Sequence, residues 1–585
     1  MRLRFLIAAT LVCSAIGLLA ASDPPGNGMV VHEWGTFLAM NGSDGVTLDG
    51  MYHEEHALPA FVHARSKDQL RLRQSNMKGE TPVIYFYTQR PASVYVHVGF
   101  PNGLWTQWYP QASMVGPGLA QADTRLRNGR IDWNLDIVPA AQAKPVLPAT
   151  TADALWNHAR DVDAAYVTTS TRAGGPKEWE RFIFYRGLGE ARLPLDVHAA
   201  HGRLTASTTE AAGLRHLFIL RVENGRGAYE YVPALEPGGS LERAIPSMDA
   251  ALPIDEFVTR IGDDVAGRLV ASGLYEKEAR AMVNTWRSSY FKTDGVRVLF
   301  VLPQSWTDRF IPLRIEPQPA QLVRVMVGRV ELLDAGRERR AEDAIRDLSS
   351  SNAAVREQAF AALRNEGRYV EPIVRRALQT TADGRVRTLA QRLLLTDFVT
   401  GLRTALTNAE TGERVTSDPV FVRAQLASVL REIGLTGEAK QEGEAALAQL
   451  ERMPQPTMSE HPSRHMFRAL ARAHEGAGHD TQALEWYGAF VRFGSQAATG
   501  VKACTGCHAA DGPENRAFFR DWYAGGKYGE YAVKTGEAPR LIAAHEAALA
   551  ARPSDMAAQL GLAYLYQARG EDAKAHAMWD RFISR

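Results

Sequence analysis

The residues best suited to chemistry stand near the end of the chain, where Cys504, Cys507 and His508 form a C-x-x-C-H pentad. Covalent haem attachment requires two thiols spaced to meet the two vinyl groups, and an imidazole next in sequence to ligate the iron from one side. The pentad supplies all three in that order. The leading expectation is therefore one haem c, with Cys504 and Cys507 as anchors and His508 as the iron ligand. Other chemistries use the same residue types. A structural zinc site wants four Cys or His ligands, usually as two knuckles, and one knuckle is present. A thioredoxin-type C-x-x-C opens a helix after a strand, a setting this stretch lacks. A local disulfide is the third alternative, and it leaves the chain a non-redox scaffold.

On the far side of such an iron the sequence offers Met556, Met578, His545 and His576, all C-terminal to the pentad on expected helices. None has a diagnostic spacing, and an open position is equally compatible. Methionine would raise the potential and suit electron transfer, whereas an open iron would bind small ligands. Phe518, Phe519, Trp522, Tyr523, Tyr528 and Tyr531 would wall a macrocycle or form ordinary helical core. A second polar cluster lies near the start: His32, Glu33, His53, Glu54, Glu55, His56 and His63. Imidazole and carboxylate ligate zinc, iron or copper, so His32, His53 and His56 form a candidate set for a metal-dependent enzyme. Alternation along a strand would send His32 and Glu33 to opposite faces, which favours surface or strand-to-strand pairing instead.

The elements that must position these groups fall into two textures. From Met29 to about Leu333 the chain reads as short runs rich in β-branched and aromatic residues, such as "PVIYFYT" (82–88), "SVYVHVGF" (93–100), "GRIDWNLDIV" (129–138) and "QLVRVMVGRVELL" (321–333). Each is bounded by turn formers, which predicts strands in a sandwich-like arrangement. One or two domains would fit residues 29–333, a split falling near 140–178. A helical insert is expected over 252–291, where Phe257, Val258, Ile261, Val265 and Leu269 recur at helical spacing.

Beyond Leu333 the composition turns to Ala, Leu, Arg and Glu. Residues 340–400 read as a HEAT-like pair of amphipathic helices, and residues 420–585 as a tetratricopeptide-like array. Aligning Gly437, Gly478, Gly536 and Gly570 as inter-helix turns gives spacings of 41, 58 and 34 residues. The last matches the tetratricopeptide period of about 34. The longest contains an insertion near 494–525, and the pentad lies inside it. The whole chain is thus expected to be α+β and multidomain, a β-rich half followed by stacked helices whose concave surface binds a redox partner or other protein.

Composition narrows the setting. Lys and Arg number 67 against 66 Asp and Glu, so no global positive field exists to gather nucleic acid. Arg2 and Arg4, the apolar run from Phe5 to Leu19 and small residues 20–22 have the layout of a signal peptide over 1–21, a retained anchor being the alternative. Cys13 falls within it. Two further cysteines cannot hold a chain of this length together. A periplasmic or secreted bacterial protein with no membrane segment after cleavage is expected, and export suits haem c attachment. No G-x-S-x-G, P-loop, G-x-G-x-x-G or H-E-x-x-H pattern occurs.

The stretches "VVHEWGTF", "LPAFVHAR", "TPVIYFYT", "GLYEKEARAMVNTWRSSYF" and "VRVLFVLPQSWTDRFIPLRIEPQPAQLVRVMVGRVELL" resemble an uncharacterised family of exported bacterial proteins whose mature chain begins near His-Glu-Trp-Gly-Thr-Phe. The resemblance covers mainly 29–110 and 273–333. It implies an exported bacterial protein with a discrete N-terminal module, and it brings no catalytic residue.

Overall fold

The computed structural model describes residues 28–50, 56, 58–59, 61–64, 75–116, 126–169, 177–410, 418–455, 463–497 and 523–583. Residues 1–27 with Cys13, together with His53, the pentad, Phe518, Phe519 and Trp522, lie outside the described residues.

The chain is mixed α and β, a β-rich N-terminal half followed by a helical array. Strand Val30–Asn41 is buried along its whole length. It pairs in parallel with Gln321–Leu332 through twelve residues, so the two ends of the β region lie side by side at the centre of one sheet. That position explains why apolar residues fall on both faces of "QLVRVMVGRVELL": strands covered on both faces lose the polar alternation. The eleven-stranded sheet runs Leu252–Pro253, Arg226–Leu235, Leu214–Glu223, Gly295–Leu302, Gln321–Leu332, Val30–Asn41, Met77–Gly79, Ile183–Gly189, Gly103–Tyr109 and His63–Ala64. Val83–Tyr87 also pairs with Val30–Asn41 and Ile183–Gly189.

A six-stranded sheet built on Ala92–Phe100 and Gly129–Val138 packs against it. Phe37, Trp105 and Tyr185 of the first sheet share a core with Val96, Ile131 and Trp133 of the second. The two sheets thus face each other across one core. Tyr166–Thr169, which lies inside the stretch 140–178, pairs with Gly129–Val138, and the core draws on residues from both sides of that stretch. The large sheet's other face is covered by the helical insert, resolved as Ile254–Ala271 and Glu276–Trp286, whose Phe257, Ile261, Leu269 and Met282 pack on Trp34, Phe218 and Leu299. Three layers result, and strand Val30–Asn41 alternates between them: Val31 and Phe37 face the sandwich core, Val30 and Trp34 face the helices.

The helical array begins at Ala335 and shares a core with the sheet, since Leu38, Met40 and Leu333 pack on Leu348, Leu363 and Ile373. Further on the helices come in antiparallel pairs: Pro419–Glu432 with Thr436–Leu450, Ser463–Ala477 with Asp480–Ala497, Tyr523–Lys534 with Ala538–Ala551, and Met556–Ala568 with Asp572–Ile583. Gly478, Gly536 and Gly570 make the turns with positive φ, as their spacing predicts. In the first pair the turn residue is Gly434, φ 79°, and Gly437 lies inside the following helix. The aligned G-E-A of 437–439 resembles the later turns in letters, but only a left-handed residue closes a helix this way. Close contacts demand glycine elsewhere: a Cβ on Gly476 would stand 2.4 Å from the Ala427 Cβ, where helices Pro419–Glu432 and Ser463–Ala477 touch.

Candidate functional site

The hexapeptide His32–Phe37 lies in a strand at the centre of the large sheet, and its two ionisable residues are both paired. His32 is buried, its Nδ1 2.8 Å from Oε2 of Glu278 and its ring 4.5 Å from that of Tyr275. Glu278 also accepts from the Tyr87 hydroxyl at 2.7 Å and from the Tyr275 backbone N–H at 2.8 Å. Glu33 points the other way, as alternation requires, and accepts from Arg324 Nε at 2.5 Å and from the Tyr185 hydroxyl. A Cβ on Gly35 would stand 2.8 Å from the Pro82 Cα, so no larger residue fits against that neighbour strand. Phe37 packs edge-on to Trp306 and Phe310. The stretches that carry the family resemblance are therefore neighbours in space, joined by the pairs His32–Glu278 and Glu33–Arg324.

That arrangement bears on the candidate metal set. His32 is engaged by Glu278 and lies between tyrosines, His56 stands at the edge of a cleft elsewhere in the module, and His63 contacts Glu178 through Nε2 at 3.0 Å. Among the described residues no group of three His, Cys, Asp or Glu is placed to hold a metal ion.

Among the described residues a cleft in the β region could receive a small molecule. It encloses about 1180 Å³ and is lined by Trp34, Phe61, Tyr109, Trp156, Phe182, Phe184, Trp286 and Tyr290, with Glu80, Glu178 and Arg186 among its polar residues. The aromatic wall is self-supporting: Trp156 lies 5.0 Å from Phe182 and from Phe184, and Trp286 stacks on Tyr290 at 4.7 Å. A concave, mostly apolar pocket with a few polar groups is the usual form of a ligand site. Its carboxylates are already held. Glu80 accepts from the Tyr290 hydroxyl at 2.6 Å, and Glu178 accepts from the Gln111 backbone N–H at 2.7 Å. Burial would raise the Glu80 pKa, but Lys78, Arg329 and the Tyr290 hydrogen bond outweigh it and hold the carboxyl below its ordinary range. Burial, then the Glu80 charge, pushes the Tyr290 hydroxyl well up, so it stays a donor. Sequence reading singled out none of these wall residues, although Trp34 and Trp286 sit in the stretches that carry the resemblance. Aromatic richness in a β region signals core as readily as cleft, and only the strand order distinguishes the two.

Beneath the cleft a buried ion cluster bolts the sheet to the helical array. Glu331, fully buried, accepts from Arg297 Nε at 3.0 Å, Arg329 Nε at 2.7 Å, Arg368 Nη2 at 3.1 Å and the Tyr369 hydroxyl at 3.2 Å. Arg368 and Tyr369 come from the 3-10 turn Gly367–Val370 of the helical half.

Around the pentad the described residues give its frame. Helices Asp480–Ala497 and Tyr523–Lys534 flank residues 498–522 and pack antiparallel: Tyr487 lies 5.9 Å from Tyr531, and a Cβ on Gly488 would stand 3.1 Å from Tyr528. Tyr528 and Tyr531 belong to the core of the terminal helices. Of the four distal candidates, His545 has its Nε2 3.1 Å from the Tyr528 hydroxyl, and burial with nearby Arg492 lowers its pKa. Met556 and Met578 are partly buried against the same core, and His576 is exposed. Among the described residues no helix is long and apolar enough to cross a membrane.

Compared with known proteins, the chain matches no protein-family model and no curated protein.

Proposed function

We propose that the protein is an exported, periplasmic monohaem c-type cytochrome-like protein. In this reading Cys504 and Cys507 carry the haem, His508 ligates its iron, and residues 498–522 are a cofactor-bearing insertion in a tetratricopeptide-like array that follows a HEAT-like segment. One observation carries it: the two helices flanking 498–522 are antiparallel neighbours. Such neighbours need a connection of roughly 2–8 residues, so most of this segment is surplus to the stacking. A surplus segment that holds the only cysteines outside the leader-like stretch is better explained by a cofactor than by packing. Two thiols and an adjacent imidazole fit the donor set of covalent haem.

When bound, the haem supplies one-electron exchange at a potential set by its axial ligands and surroundings. The protein's own residues do the rest. Antiparallel helices fix both ends of the insertion, Tyr528 orients His545 through its hydroxyl, and the array offers a surface for a redox partner. The aromatic cleft of the β region receives the small molecule whose chemistry the haem serves.

Oxidised and reduced absorption spectra of the exported protein test this. A Soret band that sharpens and shifts on reduction, and that is absent from a Cys504→Ser, Cys507→Ser variant with unchanged helical circular dichroism, is expected. A colourless wild-type protein with its two thiols in a disulfide would overturn the reading in favour of a non-redox scaffold.

A further inference from the structure

The turn at Gly478 does more than reverse the chain. The Gly478 N–H donates to Glu475 O at 3.1 Å and the His479 N–H to His474 O at 2.9 Å, the paired bonds of a Schellman motif with Gly478 at φ 88°. This motif commonly sets the side chains five residues apart in contact, and the contact is usually hydrophobic. The same turn at Gly434 has that ordinary pair, Leu430 and Leu435, both within one apolar cluster. At Gly478 the equivalent positions hold His474 and His479, and their Nδ1 atoms stand 3.3 Å apart.

We propose that His474 and His479 form a two-imidazole binding site for a divalent transition metal of the copper, nickel and zinc class. Imidazole nitrogens lie about 2.0–2.1 Å from such a metal, and donors 3.3 Å apart then subtend roughly 105–110° at it, close to the tetrahedral angle. The motif's backbone bonds hold the two residues side by side, so little backbone order is lost on binding. The neighbouring carboxylates are engaged elsewhere. Asp480 is paired with Arg431 at 2.8 Å and Lys534 at 3.0 Å. Glu475 accepts from Ser428 at 2.7 Å, Tyr487 at 2.5 Å and Lys527 at 3.2 Å.

The donor set is thus two nitrogens plus solvent water, which suits copper, nickel or zinc and excludes the oxygen-seeking magnesium and calcium. His479 is exposed, which leaves an entry path. This site is independent of the haem reading, since none of its residues lies in 498–522.

The test is titration of the full-length protein with Cu(II) in excess Mg(II) and Ca(II), followed by electron paramagnetic resonance. One equivalent with coupling to two imidazole nitrogens is expected. In His479→Ala and in His474→Gln its affinity should fall at least about tenfold, with helical circular dichroism retained in the exposed-site variant His479→Ala. Cu(II) binding unchanged in both variants, a spectrum without two coupled nitrogens, or displacement of Cu(II) by Ca(II) would overturn the proposal.

Discussion

Glu331→Gln should be among the most damaging single substitutions in the chain, and the reason can be worked from the cluster around it. The carboxylate is fully buried and receives bonds from Arg297, Arg329, Arg368 and Tyr369. Burial alone would raise its pKa, yet Arg297 and Arg329 hold it below the ordinary carboxylate range. Glutamine keeps the shape but removes the charge and points an amide N–H₂ at guanidinium groups that cannot accept. Arg297 and Arg329 are themselves fully buried, so water cannot replace the lost acceptor. Removing one partner from a buried ion pair costs about 3–5 kcal/mol, against a total stability of about 5–15 kcal/mol for a typical domain.

Because Arg368 and Tyr369 reach the cluster from the helical half, the substitution should also weaken the joint between the halves. Urea denaturation read by tryptophan fluorescence, which reports mainly the β region because eight of the eleven tryptophans precede residue 333, and by helical circular dichroism should show one transition splitting into two. Glu242→Gln, which breaks only the exposed pair with Arg203, is the control and should barely change the curve. A Glu331→Gln midpoint within experimental error of wild type would refute the argument that this cluster joins the halves.

Three further outcomes follow from the same geometry. Gly476→Val should destabilise the array by about 1–3 kcal/mol, because the new side chain would meet Ala427 where two helices touch, and thermal melting of helical circular dichroism will read it. Glu80, Glu331 and Glu475 all have pKa values held below 4.5 by nearby cations and hydrogen bonds that outweigh burial. Their stabilisation is therefore fully present above about pH 4.5 and is lost as pH falls through the lower folded values; Glu475→Gln should make the acid slope of the denaturation midpoint shallower. Trp286→Ala should enlarge the cleft and unstack Tyr290, lowering stability by about 3–5 kcal/mol, whereas Trp286→Phe should retain most of it in the same urea experiment.

Much of the β region was legible because its strands follow simple rules. "GRIDWNLDIV" is strand Gly129–Val138 and "SVYVHVGF" falls within Ala92–Phe100, each ended by turn residues where the run of β formers stops. The spacing from Phe257 to Leu269 gave the first covering helix for the same reason. What periodicity does not reveal is which charged residues go inside. Glu33, Arg297, Arg324, Arg329 and Glu331 sit in strands where a solvent-facing role is the ordinary reading, yet all are buried in pairs. Their partners come from distant segments, and a pairing 246 residues apart such as His32 with Glu278 leaves no local trace. The parallel union of the first and last strands is invisible for the same reason. At the candidate haem segment the reverse holds: the proposed chemistry rests on local spacing alone, and the frame adds only that the helices on either side need no more than a short connection.

If Cys504 and Cys507 carry a covalent haem, as proposed, intact-mass measurement of the purified protein after acid–acetone extraction shows it most directly. Extraction removes haem that is merely bound, so the account predicts a mass equal to the processed chain plus one haem, reverting to the chain alone in the Cys504→Ser, Cys507→Ser variant. A wild-type protein exported from cells competent in haem attachment that shows only the mass of the bare chain would contradict it.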